Sequence, residues 1–205
     1  MSTKKLGVID YGSGNLRSVC KAIEAAGASA PLITTASGLE NLDGIVVPGQ
    51  GAFHQCAANL RASGLWDPVR EWTLAGRPYL GICLGYQLLF ESSEESPGVS
   101  GLGVLKGRVV RFPGGGALKV PHMGWNALKN VTGPLYKNFP PEVSMYFVHS
   151  FYPAPDDSNV ASAWCDYGLR FAASVSFGSV HATQFHPEKS QFAGLSLLRN
   201  FISTL

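Results

Sequence analysis

Gly81-Ile82-Cys83-Leu84-Gly85-Tyr86-Gln87 constrains this 205-residue chain more than any other segment, because it sets one cysteine between glycines where an apolar strand turns into a helix. Arg77-Pro78-Tyr79-Leu80 reads as the strand entry, and Leu84, Leu88 and Leu89 follow at helical spacing, with Glu91 closing the turn. A side chain on so sharp a turn points out of the sheet and sits on strained backbone, which is why glycines flank it. The helix N-terminus beneath the sulfur favours thiolate over thiol. The alternative is a buried structural cysteine, since free cysteine is among the most buried residue types.

Around this elbow, short apolar runs alternate with helical patterns. Residues 5–9, 44–47 and the run before Cys83 read as strands; 13–26 reads as a helix ended by Gly27, and 57–60 and 67–74 read as helices broken by Gly64 and Gly76. That order implies an α/β fold of three layers, α/β/α, with a central, mostly parallel sheet. From Val104 onward the pattern changes to short strands at 103–112, 143–149 and 160–164, which an antiparallel extension of the sheet accommodates. A last helix over 193–203 turns Leu195, Leu198 and Phe201 toward the core. There is no repeat and no linker, so 1–205 reads as a single domain in which 113–116 is a flexible loop.

Composition narrows the function. Hydrophobic content of 45% with 15% charged residues is globular, and a formal charge of +2 from scattered Lys and Arg gives no nucleic-acid signature. No apolar run approaches a membrane span, and the N-terminus leads straight into a strand. Cys20, Cys56, Cys83 and Cys165 lack C-x-x-C spacing, which argues against a zinc site and for free thiols in the cytoplasm. Neither a metal nor a cofactor is implied.

A second segment, Val180-His181-Ala182-Thr183-Gln184-Phe185-His186-Pro187-Glu188, follows an alternating run over 171–177 and the turn signal Gly178-Ser179. The pair reads as a β-hairpin whose second strand delivers His186 and stops at Pro187. Residues two apart in an extended segment share a face, so Glu188 can reach the His186 ring. Cysteine, a histidine base and a carboxylate that orients it make a nucleophilic triad. Taken alone, His186-Pro187-Glu188 is an ordinary solvated turn.

Gly81-x-Cys83-x-Gly85-x-Gln87 with a late His186-Pro187-Glu188 resembles the class I (triad) glutamine amidotransferases. A third element is the buried run 44–47 followed by Pro48-Gly49-Gln50-Gly51. In that family this loop supplies backbone N–H groups to the oxyanion and to glutamine, and a glycine-rich turn at a strand end presents such amides. The resemblance implies a class I glutamine amidotransferase-like fold. It also implies Cys83, His186 and Glu188 as catalytic residues, with oxyanion and substrate contacts from Gly49, Gln50, Gly51, Leu84, Gln87, Ser150 and Phe151. Gln50 departs from the pattern, where many members carry valine.

Within the family, the opening stretch 8–19, Lys119-Val120-Pro121-His122-Met123-Gly124-Trp125-Asn126 and Tyr146-Phe147-Val148-His149-Ser150-Phe151-Tyr152 resemble the glutaminase subunits of imidazole glycerol phosphate synthases. That resemblance implies release of ammonia from glutamine in histidine biosynthesis. It also implies a heterodimer with a cyclase subunit, a (β/α)8 barrel that turns the ammonia into imidazole glycerol phosphate and an aminoimidazole carboxamide ribonucleotide. Tyr11, Asn15, Arg17, Lys119, His122, Met123 and Trp125 are the expected partner-facing residues. Two readings remain for some of these: Tyr11, Asn15 and Arg17 face the partner or hold the N-terminal loop, and His122, Met123 and Trp125 dock or belong to the core. Other readings also stand. Asp10-Tyr11-Gly12-Ser13-Gly14-Asn15 starts like a dinucleotide loop but has Arg17 at the third glycine and no acid after the second strand. A non-enzymatic binding module would leave Cys83 merely packed. An amidotransferase serving pyridoxal phosphate or surface-sugar synthesis would share the triad. His149 and His181 read as second bases or as structural histidines, and His54 as a surface residue.

Overall fold

The computed structural model describes residues 3–12, 14–114 and 118–205. Gly115 and Gly116 of the expected loop, and Ser13 at the expected helix start, lie outside the described residues. The parallel half of the main sheet is built from β1 (Leu6–Ile9), β2 (Leu32–Ile33), β3 (Gly44–Gly49), β4 (Tyr79–Cys83) and β12 (Val180–Thr183). Its antiparallel half is β11 (Arg170–Phe177), β10 (Ala161–Asp166), β7 (His122–Lys129) and β8 (Val143–His149). The nine strands run in the order β2-β1-β3-β4-β12-β11-β10-β7-β8.

The helices are α1 (Leu16–Ala26), α2 (Phe53–Ala62), α3 (Trp66–Leu74), the single turn α4 (Leu84–Gln87) and α5 (Gln191–Ile202). The chain steps from β1 to β2 in one direction along the sheet and from β3 to β4 in the other. Right-handed crossovers therefore put α1 on one face and α2 with α3 on the opposite face. α1 packs against α5, and α2 packs against α3 and α4. β1, β3 and β4 are buried along their full length, as strands covered on both faces require.

Two sequence readings shift, and one strand had no sequence reading. Residues 103–112 do not extend the main sheet: β6 (Gly107–Arg111) lies between β5 (Ser92–Ser93) and β9 (Phe151–Pro155) in a separate three-stranded sheet. Residues 122–129, which carry no strand-like apolar alternation, form β7 across its whole length. The final helix buries Leu197, Leu198 and Phe201, whereas Leu195 is half-buried.

Glycines decide how closely the elbow packs. A Cβ on Gly85 would overlap the carbonyl oxygen of Val47 in β3, and one on Gly81 would lie 2.7 Å from the oxygen of Gly85. The buried Tyr79 hydroxyl donates to Gly85 O at 2.7 Å, tying the start of the strand to the turn that follows it. We expect Gly85→Ala to lower the unfolding free energy by at least about 2 kcal/mol, the scale of backbone overpacking. Urea unfolding checks this, and a change within about 0.5 kcal/mol would contradict the packing described.

Candidate active site

Cys83 ends β4 with φ +55° and ψ −105°, a left-handed conformation that a residue with a Cβ rarely adopts. The elbow expected from the glycine spacing is therefore present. Its helix, however, is one turn long, so the macrodipole expected to act on the sulfur is small. The groups that act on the sulfur come from other elements.

The first is His186. β12 pairs in parallel with β4, with Thr183 opposite Ile82, so residues just beyond Thr183 emerge beside the elbow. The hairpin forms as expected, with β11 and β12 antiparallel and the turn residue Gly178 at φ +55°, but β12 ends at Thr183 and not at Pro187. His186 remains extended, but Pro187–Lys189 forms a 3-10 turn. Glu188 thus reaches the ring by the turn and not by a shared strand face. His186 Nδ1 and Glu188 Oε1 are 2.8 Å apart, with both side chains 2% exposed. The Ser190 hydroxyl donates to His186 O at 2.7 Å and fixes the same turn. Burial alone would lower the His186 pKa, but the neighbouring Cys83 sulfur and Glu188 carboxylate outweigh it and raise it above the usual value. His186 Nε2 and Glu188 Oε2 are buried without a hydrogen-bond partner.

Cys83 and His186 open on a cavity of about 430 Å³. Of the expected substrate contacts, Gln50, Gly51, Leu84, Gln87, Ser150 and Phe151 line it. Gly49 lies instead with Glu188 in a small hollow next to the cavity, together with Asn15. Gly49 is closely packed: a Cβ there would come within 2.7 Å of the Tyr11 hydroxyl oxygen. Gln50 O accepts from the Cys56 thiol at 3.4 Å, which orients the loop. Glu95, Pro121, Val148, His149 and Lys189 also line the cavity. Of these, sequence reasoning considered only His149, as a second base; Glu95 and Lys189 are charged residues on separate segments, with no motif to join them.

The residues expected to face a partner divide. Met123 and Trp125 are 62% and 49% exposed, and Asn15, Arg17 and Lys119 are exposed too. Two do not present a surface. Tyr11 is buried and its hydroxyl donates to Pro48 O at 2.7 Å, so it holds the end of β3 that leads into the loop. His122 is buried, stacked between Phe147 and Tyr167. The remaining histidines are structural. Burial lowers His149 to a pKa of about 3, and its Nδ1 donates to Phe151 O at 2.8 Å. His181 is lowered to about 4 by burial and meets Ser176 Oγ at 2.6 Å. His54 is exposed, as expected. All four cysteines are free, and among the described residues no cluster of His, Cys, Asp or Glu is arranged to hold a metal. No helix among the described residues is long and apolar enough to cross a membrane.

An elbow cysteine, a buried His–Glu pair and a glycine-rich loop around one cavity on an α/β/α sheet define a class of acyl-transfer enzyme. The match of residues 7–205 to Glutamine amidotransferase class-I is specific: the chain belongs to that family. It is 48% identical to the imidazole glycerol phosphate synthase subunit HisH of Syntrophotalea carbinolica, over 95% of this chain and 97% of that one. It is 46% identical to the same subunit of Geobacter sulfurreducens, over 96% and 97%. A solved glutamine amidotransferase superposes with a TM-score of 0.76 at 25% identity, covering 97% of each chain.

The elevated His186 pKa generates a test with a definite sign. Glu188→Gln and Cys83→Ala each remove a group that favours the ring proton, so each should lower the His186 midpoint. Imidazole ¹⁵N resonances followed against pH measure it. A wild-type midpoint at or below the ordinary value of about 6.5 would contradict the pairing.

Proposed function

We propose that this enzyme hydrolyses glutamine to glutamate and ammonia through a Cys83–His186–Glu188 triad, as the glutaminase subunit of imidazole glycerol phosphate synthase in histidine biosynthesis. The observation that carries this reading is the elbow sulfur beside the buried His186–Glu188 pair in one cavity.

Glutamine enters with its side-chain carboxamide beside Cys83. The thiolate, its proton having passed to His186, attacks the carbonyl carbon, and negative charge moves to the oxygen. Backbone N–H groups of Leu84 and of the Gln50-Gly51 turn on the cavity lining receive that charge. His186 returns the proton to the departing nitrogen, so ammonia leaves and a glutamyl thioester remains. Water then attacks the thioester while His186 takes its proton, and the thiolate departs with release of glutamate. Glu188 fixes the ring tautomer and stabilises its cation. Gln87, Ser150 and Phe151 seat the amino-acid end of glutamine, and the Glu95 carboxylate on the same wall suits its ammonium group.

The ammonia acceptor is a partner subunit, a (β/α)8-barrel cyclase in a heterodimer. Met123 and Trp125 support a docking face: two large apolar side chains exposed on one strand, beside Pro121 on the cavity wall. Direct transfer keeps ammonia from protonating in water.

The test is Cys83→Ala in complex with the cyclase. Glutamine-dependent synthesis should fall to background while synthesis with added ammonium salt persists. Equal loss of both in an intact complex would contradict the division of labour between the two subunits.

A further inference from the structure

We propose that Gln184 is a further catalytic residue of this site, whose side-chain amide donates a hydrogen bond to the reacting sulfur of Cys83. The proposal rests on the reading of Cys83 as the attacking atom.

Gln184 is completely buried, one residue past β12, and its backbone N–H is held by Ala173 O at 2.8 Å. Its Nε2 lies 3.6 Å from Cys83 Sγ, within hydrogen-bonding range of sulfur. The direction of that amide follows from its neighbours. Phe151 O can only accept, and Gln87 lies 3.1 Å from it, so Gln87 presents its NH₂ group there. The same Gln87 nitrogen lies 3.1 Å from the other end of the Gln184 amide, which must therefore be the oxygen. With Oε1 committed to Gln87, the Gln184 NH₂ faces the sulfur.

Phe151 O is itself fixed, because His149 Nδ1 meets it at 2.8 Å. His149 Nε2 then faces His122 Nδ1 at 3.0 Å, and Asn126 Nδ2 meets His122 Nε2 at 3.2 Å. Each group has one consistent donor or acceptor role, from strand β7 to the nucleophile, with both histidines neutral. A buried glutamine with both ends committed has no freedom to turn its oxygen on the sulfur.

The contact has a chemical use. A one-turn helix gives the sulfur little dipole support, and an N–H aimed at it stabilises negative charge on the sulfur. It serves again in the second half of the reaction, when the thioester collapses and the electron pair of the C–S bond returns to sulfur as thiolate. The titratable group beside the sulfur is His186, with Glu188 behind it, and Glu95, His149 and Lys189 line the same cavity.

The test is the pH dependence of Cys83 alkylation by iodoacetamide in the full-length chain, read by peptide mass spectrometry to separate it from Cys20, Cys56 and Cys165. Gln184→Met keeps the volume and removes the donor, so its midpoint should rise by about one pH unit, the scale of one charge-assisted hydrogen bond. Gln184→Glu places a second negative charge beside the sulfur and should raise it further. A residue that merely fills space would give no such order. The wild-type protein supplies an independent readout: Gln184 side-chain ¹⁵N–H resonances should titrate with the alkylation midpoint. Wild-type midpoints in both variants, or Gln184 resonances that do not change through the alkylation midpoint, would overturn the proposal while leaving the nucleophile assignment standing. A wild-type Cys83 that resists alkylation would instead overturn that assignment and the proposal with it.

Discussion

The left-handed turn at Cys83 is the constraint on which the rest of the site depends. Such a conformation costs a non-glycine residue about 1–3 kcal/mol, and it persists only where the surroundings leave no alternative. Here the surroundings are close-packed: Gly85 lies under the carbonyl of Val47, and Tyr79 bonds to Gly85 from the start of β4. The strain lifts the sulfur off the end of the sheet. The packing of β4 between β3 and β12 then decides which loops surround it.

The histidines illustrate how partners set the charge that burial would otherwise remove. His122, His149, His181 and His186 are all buried. In the first three, burial dominates: their pKa values fall to about 4, about 3 and about 4. Their hydrogen bonds go to neutral groups. Only His186, among these, has a carboxylate on one nitrogen and a thiol beside the other, and it alone moves upward. The protein thus keeps one protonatable ring at the cavity and uses the other three as rigid neutral connectors.

Much of this was legible from the sequence because the chemistry demands local, unusual residues. Glycines at 81 and 85 mark close approach around the elbow, Gly27 ends α1 in a left-handed cap, and Pro187 opens the 3-10 turn that carries Glu188. β7 was not legible, because its burial is inverted. The buried positions include His122, while the exposed ones carry Met123 and Trp125, so apolar alternation points the wrong way. The loop-holding role of Tyr11 and the sulfur contact of Gln184 were hidden for another reason. Both depend on residues 37 and 101 positions away, a distance no local pattern encodes.

The central claim is that Cys83 becomes covalently acylated. The most direct measurement is rapid acid quench of the enzyme turning over glutamine, followed by mass spectrometry of the intact chain and of its Cys83 peptide. The account predicts a glutamyl thioester on Cys83 that forms with glutamine and disappears as glutamate is released. Sustained glutamate release with no adduct at Cys83, under conditions that trap a known thioester, would contradict it.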